Sequence, residues 1–163
     1  MPAPDTPTNS LLASWHRARS LPAGKALFSF ALRRKVPYSG TIRARVDELT
    51  AGYAKVRMAD RTRVRNHFNS IHAVAMTNLG ELASGLAMTA AMPPELRGIP
   101  VHFTIEFVKK ARGEIVAEGR APIPEIPDET TEQREYEVEA ILEDQTGARV
   151  ARFTARWAVG PRT

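Results

Sequence analysis

The sequence predicts an α+β protein in which a six-stranded, curved antiparallel sheet wraps around one long helix, with covering helices at the N-terminus. Three observations carry this prediction. Six segments alternate apolar and polar residues, which is typical of strands with one buried face. The segment 71–90 has apolar or small residues on every face and therefore predicts a buried helix. No helical pattern separates the last four strand segments, which favours antiparallel pairing.

Residues 1–35 are predicted to form an N-terminal helical extension, and residues 36–163 the main domain. Asn9 or Ser10 is placed to cap a first helix, and a second helical stripe ends near Lys35. Both helices are basic and amphipathic, so they could lie on a membrane or on RNA. We favour the interpretation that they cover a sheet edge or an open core.

The six strand segments are defined by their apolar positions, and the first is predicted to begin at Thr41. These positions are Ile42, Ala44 and Val46; Ala54, Val56 and Met58; Val101, Phe103, Ile105 and Phe107; Ile115 and Ala117; Tyr136, Val138, Ala140 and Leu142; and Ala151, Phe153, Ala155, Trp157 and Val159. Glutamates and arginines on the outer face of the last two strands are expected to pair across the strands.

The long helix carries two glycines and a choice of N-terminal caps. Asn69 or Ser70 is placed to cap its first turn. Gly80 and Gly85 weaken a helix, and close approach by other backbone would explain why they are tolerated.

Composition and charge narrow the class of protein. Of the 163 residues, 43% are hydrophobic and 25% charged, and there is no cysteine, which excludes disulfides, thiolate metal sites and a cysteine nucleophile. No apolar run approaches the roughly 20 residues of a membrane helix, so we expect a cytoplasmic protein without a membrane span. Residues 1–70 hold 13 basic and 4 acidic residues, which favours a polyanionic partner such as nucleic acid, anionic lipid or a phosphorylated ligand. Nucleic acid is not expected, because the basic region lacks interleaved aromatics and any RNA-binding motif.

One carboxylate stands out on the long helix. Glu81 is the only acidic residue between Asp60 and Glu95, on a segment that otherwise reads as buried. A buried carboxylate needs partners or a raised pKa, so Glu81 is a candidate functional group. The alternative is a glutamate at the helix edge that touches water. The four histidines do not have metal-ligand spacing, and no metal site is expected.

Geometry separates Glu81 from the start of its helix. His72 and Glu81 are nine residues apart, which is ~13.5 Å of helical rise and about half a turn. The two side chains therefore cannot form a dyad within one chain. Free N–H groups at the helix start, around Ala73, form a natural binding site for a carbonyl or oxyanion. If both ends serve one site, two chains must contribute, which predicts a homodimer with shared sites at its interface.

The element order and the residues Asn66, His72, Ala73 and Glu81 resemble the hotdog-fold acyl-CoA thioesterases. The similarity is closest to the phenylacetyl-CoA thioesterase-like branch, in a subgroup of uncharacterised bacterial proteins, and covers roughly residues 36–160. In that family an Asn or Gln lies seven residues before a small residue at the helix start, and the catalytic acid lies eight residues after it. The family's His-Gly-Gly motif here reads His-Ala-Val.

This resemblance implies a hydrolase that cleaves a thioester. Glu81 would be the general base or nucleophile, and the Ala73 N–H would polarise the thioester carbonyl. Asn66 would hold the carbonyl or the attacking water, and His72 would shape the site. Dimers of the family can pair into tetramers, and the sequence leaves that open.

Coenzyme A would enter as part of the substrate, and no other cofactor is implied. Its phosphates need basic partners, for which the resemblance favours the segment after the third strand and the loop before the helix. The candidates are Lys109, Lys110, Arg112, Arg63 and Arg65.

The acyl group could be aryl-acetyl, medium-chain or long-chain. Met76, Leu79, Met88 and Phe103 could line an acyl tunnel, although core packing is the simpler interpretation. The alternative function is a non-catalytic module that binds acyl-CoA or an acyl-carrier protein. Carrier proteins are acidic, which suits the basic N-terminal half.

Overall fold

The computed structural model describes residues 9–125 and 133–162. The helices are α1 (Ser10–Arg19), α2 (Gly24–Lys35), α3 (Pro37–Gly40) and α4 (Ala73–Ala91), with a 3-10 turn at Thr62–Val64. The strands are β1 (Arg45–Thr50), β2 (Tyr53–Met58), β3 (Leu96–Phe107), β4 (Ile115–Arg120), β5 (Arg134–Asp144) and β6 (Arg149–Pro161). Within the described ranges, no helix is long and apolar enough to cross a membrane.

All six strands form one antiparallel sheet in the order β1-β2-β4-β5-β6-β3. Helix α4 packs against every strand and lies mainly over β2, β4 and β5. This arrangement confirms the predicted curved sheet around a single long helix. The connection through α4 carries the chain from β2 to the far edge of the sheet at β3.

Glycine sets the depth at which α4 sits in the sheet. A Cβ at Gly119 on β4 would lie 2.2 Å from the carbonyl oxygen of Ala83, so only glycine permits this approach. The predicted backbone approach at Gly80 and Gly85 is wrong. At both positions the nearest neighbours are aromatic side chains of β6, and a Cβ at Gly80 would meet one of them at 2.7 Å.

The predicted start of β1 at Thr41 is wrong by four residues. Arg43 has φ 50°, in the left-handed region, which interrupts the extended backbone and delays the strand until Arg45. Ile42 and Ala44 are nevertheless buried, as the alternation predicted.

The outer face of β5 and β6 carries the expected ion pairs. Arg152 Nη2 lies 3.2 Å from Glu139 Oε2, and Arg156 Nη1 lies 2.9 Å from Glu135 Oε2. The cross-strand pairing predicted from the sequence is therefore confirmed.

Asn9 joins α1 to the end of α4. Its Oδ1 accepts a hydrogen bond from the Leu12 N–H (3.1 Å), which confirms it as the cap of α1. Its Nδ2 donates to the carbonyl oxygens of Thr89 (2.7 Å), Ala90 (3.3 Å) and Met92 (2.9 Å). One side chain thus satisfies backbone groups at the ends of two helices.

Helix α2 covers the β1 edge of the sheet, as favoured for the N-terminal helices. The Val46 N–H donates to Ser29 Oγ (2.9 Å), and Lys25 Nζ donates to the Asp47 carbonyl oxygen (2.7 Å). These side chains take the place of a neighbouring strand at two backbone groups of β1. This edge is therefore closed within the chain.

Within residues 9–125 and 133–162, nothing covers the β3 edge in this way. Phe103 and Phe107 are 51% and 48% exposed, although their cross-strand partners on β6, Ala155 and Ala151, are buried. Val101 is exposed as well. The prediction of a buried face on this strand is wrong for the single chain, because α4 lies mainly over other strands. An apolar strip is left open along one side of the sheet.

Candidate functional site

Asn66 organises the loop that leads into α4. Its Oδ1 accepts hydrogen bonds from the Phe68 N–H (3.0 Å), the Ser70 N–H (3.2 Å) and Ser70 Oγ (3.1 Å). Its Nδ2 has no hydrogen-bond partner among the described residues. The carbonyl of this amide therefore shapes the loop, and the NH₂ group is left as a donor.

His72 caps α4. Its Nδ1 accepts a hydrogen bond from the Val74 N–H at 3.1 Å. The prediction that Asn69 or Ser70 would cap the helix is wrong. Asn69 has φ 55° and Ser70 is still bound within the loop by Asn66, so the backbone turns helical only after His72.

The Ala73 N–H is a donor left free at this helix end. Ala73 is exposed, and its N–H has no acceptor in the part of the chain that the structure describes. This N–H group lies at the positive end of the helix dipole. The arrangement suits a carbonyl oxygen that gains negative charge during a reaction.

Two of the predicted phosphate-binding residues lie near this helix end. The Ile71 N–H donates to the Ala111 carbonyl oxygen (2.9 Å), which ties the loop to the segment carrying Lys110 and Arg112. Lys110 Nζ lies 5.6 Å from the ring centre of Phe68, and Arg112 is exposed.

The other three predicted basic residues are placed less favourably. Arg65 Nε lies 2.6 Å from Asp60 Oδ1, and Lys109 Nζ lies 2.7 Å from Asp144 Oδ2. These two cations are already neutralised within the chain. Arg63 is exposed on the 3-10 turn that precedes the loop.

Glu81 lies in the middle of α4, beneath α3. Its side chain is largely buried, and Ser39 Oγ donates a hydrogen bond to its Oε2 at 3.5 Å. Burial raises the pKa of the Glu81 carboxyl, and the Ser39 hydroxyl partly offsets that rise. Within the described residues, no cation lies within ion-pair distance of this carboxylate. Glu81 is thus a partly buried acid whose pKa lies above its ordinary value, a property typical of functional carboxylates.

Asn78 is a site residue that the sequence-based prediction missed. Its Nδ2 donates to the Tyr38 carbonyl oxygen (3.4 Å), while its buried Oδ1 has no hydrogen-bond partner within the described residues. Asn78 lies one helical turn before Glu81, and both reach consecutive residues of α3, so their side chains are neighbours. The signal was present in the sequence, because an amide is unusual on a helix that is otherwise apolar or small.

The structure brings Asn66, His72 and Ala73 together at one end of α4 and does not bring Glu81 to them. Ala73 and Glu81 are eight residues apart on a continuous helix, a rise of about 12 Å. The described residues contain no group of three His, Asp or Glu side chains that could hold a metal ion.

The residues considered for an acyl tunnel divide into two groups. Met76, Leu79 and Met88 are buried in the core of the chain. Phe103 lies on the open strip of β3 and stacks on Phe153, with ring centres 5.4 Å apart. Helix residues thus act as core packing in the single chain, and only Phe103 is available to another molecule.

The chain is similar to one family model and to several solved structures. The model of a family described as a domain of unknown function, DUF4442, matches residues 24–159. Curated proteins give no match. Among solved structures, the structural-genomics protein APC5556 is 28% identical with a TM-score of 0.75, over 93% of this chain and 98% of that one.

Two further structures carry informative names. A Pseudomonas aeruginosa protein of unknown function, PA5026, described as a probable thioesterase, is 26% identical with a TM-score of 0.74, over 87% of this chain and 97% of that one. Escherichia coli PaaI, from the phenylacetic acid degradation operon, is 15% identical with a TM-score of 0.66, over 97% of this chain and all of that one. The predicted hotdog fold and the similarity to thioesterase-like proteins are confirmed.

Proposed function

The chain belongs to the DUF4442 family, and we propose that it is a cytoplasmic hydrolase that cleaves acyl-CoA thioesters at a site shared by two protomers. The observation that carries this proposal is Glu81, a partly buried carboxylate with a raised pKa and no cationic partner among the described residues. Taking a carboxylate out of water costs free energy, so its presence at this position favours a functional role. The similarity to PA5026, described as a probable thioesterase, supports the reaction class.

Glu81 would act on water or directly on the thioester. As general base, its carboxylate takes a proton from a water molecule while the water oxygen attacks the thioester carbon. The carbon–sulfur bond then breaks, and the protonated Glu81 returns its proton to the departing thiolate. As nucleophile, the carboxylate attacks the same carbon, and the carbon–sulfur bond breaks to release the thiolate. Water then hydrolyses the resulting anhydride, which regenerates the carboxylate and supplies the proton of the free thiol. A raised pKa suits the proton return in the first route.

The other end of α4 would bind the reacting carbonyl. The Ala73 N–H donates to the oxygen on which negative charge develops. The free Nδ2 of Asn66 supplies a second donor to that oxygen or to the attacking water. His72 acts indirectly, because its imidazole fixes the first turn of the helix that carries the Ala73 N–H.

A homodimer would bring the two ends of the site together, one from each chain. Ala73 and Glu81 are separated by about 12 Å of helix, so a substrate that touches both requires one group from each of two chains. The open strip of β3 offers the contact, because Phe103 and Phe107 are half exposed beside unpaired strand backbone. Antiparallel pairing of two β3 strands about a two-fold axis would cover these side chains. Pairing of such dimers into tetramers remains a further proposal.

The substrate is proposed to be an aryl-acetyl, medium-chain or long-chain acyl-CoA. Lys110 and Arg112 lie beside the helix end that would bind the thioester, and they are proposed to contact the coenzyme A portion. Lys109 and Arg65 are weaker candidates, since each already pairs with an aspartate.

Thiol release from a panel of short, long and aromatic acyl-CoA thioesters tests the reaction. Glu81→Gln is expected to lower kcat by about 10²- to 10⁴-fold, the usual worth of a general base, while coenzyme A binding persists. Glu95→Gln, at an exposed glutamate beyond α4, is the matched control and should retain full activity. Equal activity of Glu81→Gln and the wild type would contradict the role of Glu81.

The alternative function is a non-catalytic module that binds an acyl-CoA or an acyl-carrier protein. The basic side chains of α2, Arg33 and Arg34, favour it, since neither has a carboxylate partner among the described residues. A folded dimer that binds acyl thioesters and releases no thiol from any of them would support this alternative over the hydrolase.

A further inference from the structure

A cationic cavity lies beside α3, apart from the site described above. It has a volume of about 310 Å³ and is lined by Phe30, Arg33, Arg34, Gly40 and Arg43. Two of its arginines project from α2, and Arg43 follows α3 along the chain. The proposed reaction assigns no role to any of these residues.

The arginines around this cavity have no negative partner in the part of the chain that the structure describes. Within the described residues, Arg33, Arg34, Arg43 and the adjacent Arg61 form no ion pair with a carboxylate. Burial lowers the pKa of Arg61, and the nearby charges of Arg43, Arg33 and Arg63 lower it further. Mutual repulsion among cations costs folding free energy, so a cluster like this one indicates an absent anion.

Five arginines elsewhere in the described chain are paired with carboxylates. Arg57, Arg65, Arg120, Arg152 and Arg156 each lie within ion-pair distance of an aspartate or glutamate. A second cavity, of about 380 Å³, is lined by Arg120 and Arg152 together with glutamates, so its charges are balanced. Other exposed arginines also lack a carboxylate partner among the described residues, and what distinguishes the cavity beside α3 is that several of them lie close together.

The side chains of the cluster are held in place. The guanidinium carbons of Arg33 and Arg34 each lie 5.6 Å from the ring centre of Phe30. The Arg61 guanidinium donates to the Ile42 carbonyl oxygen. Arg43 keeps a left-handed backbone, φ 50°, that is uncommon for a residue with a side chain. Arginines restrained in this way lose less entropy when they bind an anion.

The cavity is also close to the proposed catalytic carboxylate. Gly40 lines the cavity, and the preceding residue, Ser39, donates to Glu81. Consecutive Cα atoms are about 3.8 Å apart, so adjacent residues of α3 contact the carboxylate and line the cavity. Helix α3 thus connects the arginine cluster to the proposed reacting group.

We propose that this cavity binds the phosphate groups of the coenzyme A portion of the substrate. This inference rests on the proposed function. A phosphate monoester carries about −1.5 to −2 charge at pH 7, and arginine forks bind phosphate oxygens in pairs. Several arginines match the several phosphates of coenzyme A better than the single phosphodiester of a carrier-protein arm.

Calorimetric titration with coenzyme A, 3′-dephospho-coenzyme A and inorganic phosphate tests the site directly. Arg34→Gln and Arg43→Gln are each expected to weaken coenzyme A binding about tenfold, the usual scale for losing a charged hydrogen bond. Arg34→Lys should give an intermediate loss, because it keeps the charge without the fork. Arg17→Gln, on the exposed face of α1, is the matched control and should bind as the wild type does.

Three binding results would overturn the inference. They are wild-type affinity in both Arg34→Gln and Arg43→Gln, a loss seen only with Lys110→Gln or Arg112→Gln, and equal affinity for inorganic phosphate and coenzyme A. Thermal melting of every variant checks that the fold is intact. Removal of one charge from a repelling cluster should not lower the melting temperature.

Kinetics separate this inference from the proposed function. Arg34→Gln should raise KM for an acyl-CoA about tenfold and leave kcat unchanged, because phosphate binding is equal in the ground and transition states. With the matching acyl-pantetheine thioester, which lacks those phosphates, KM should not change. If no thioester is cleaved by the wild type, the proposed function fails, and the calorimetric titrations still decide whether the cavity binds coenzyme A. An equal rise in KM for both substrates would overturn the phosphate assignment.

Discussion

The two edges of the sheet differ in whether another element of the described chain covers them. At β1, Ser29 and Lys25 of α2 bind the strand backbone and take the place of a missing neighbour. At β3, twelve residues long, no helix of the described chain closes the edge. The contrast teaches that the chain protects itself from edge pairing on one side only. The proposed pairing of a second copy along β3 would explain why the protection is not symmetric.

The side chains reinforce this contrast. Around β3 the exposed apolar residues form a group on one strand and its following loop: Ile99, Val101, Phe103, Phe107 and Val108. Exposed apolar residues that cluster in this way mark interaction surfaces, whereas scattered ones carry little meaning.

Disrupting the proposed self-association at the β3 edge should have the largest effect. Phe103→Asp places a charge on the apolar strip and should weaken self-association on the order of 100-fold or more, as for loss of an aromatic anchor. Light scattering should then report one chain where the wild type gives two. Leu27→Asp, at an exposed leucine of α2, is the control and should leave the dimer intact. A wild-type protein that is monomeric at high concentration would contradict the edge pairing.

Opening the closed edge should have a smaller effect, on stability rather than on assembly. Ser29→Ala leaves the buried Val46 N–H without its acceptor, which should cost about 1–3 kcal/mol of unfolding free energy. Urea denaturation measures this loss. In the control, Ser14→Ala, the hydroxyl removed is exposed and the loss should stay below about 0.5 kcal/mol. Equal losses in the two variants would show that α2 does not protect β1.

The smallest effect concerns Glu81, which α3 covers on the closed side. Its folded-state pKa is raised, so between the ordinary and the raised pKa the folded chain binds more protons than the unfolded chain. Stability therefore falls as pH rises through that window. Glu81→Gln removes this penalty and should raise the melting temperature at pH 7 more than at pH 4. An equal gain at both values would argue against a raised pKa.

Much of the fold could be predicted from the local spacing of apolar residues. The alternation of apolar and polar residues located all six strands, and the long apolar segment located α4. Both predictions succeed because the spacing of apolar residues shows directly which faces of an element are buried. Glu81 was found for the same reason, as the acid that interrupts an apolar helix. Arg43 shows the limit of the method, since its left-handed backbone delays β1 without changing which residues are buried.

The environment of Glu81 could not be predicted from spacing. Ser39 reaches it from 42 residues away, through a four-residue helix with no periodicity to detect. The exposed strip of β3 was missed because alternation reports which residues share a face, and not whether another element covers that face. Both features depend on long-range packing.

Asn9 also has a consequence for the order in which the chain becomes ordered. The carbonyl groups that receive its amide lie 80 to 83 residues later in the sequence. At a synthesis rate of about 5–20 residues per second, roughly 4–16 s separate the appearance of Asn9 from that of its partners. The docking of α1 on α4 must therefore wait until residues beyond the midpoint of the 163-residue sequence have been made. Helix α1 thus remains without its packing partner for several seconds after its own residues have been joined.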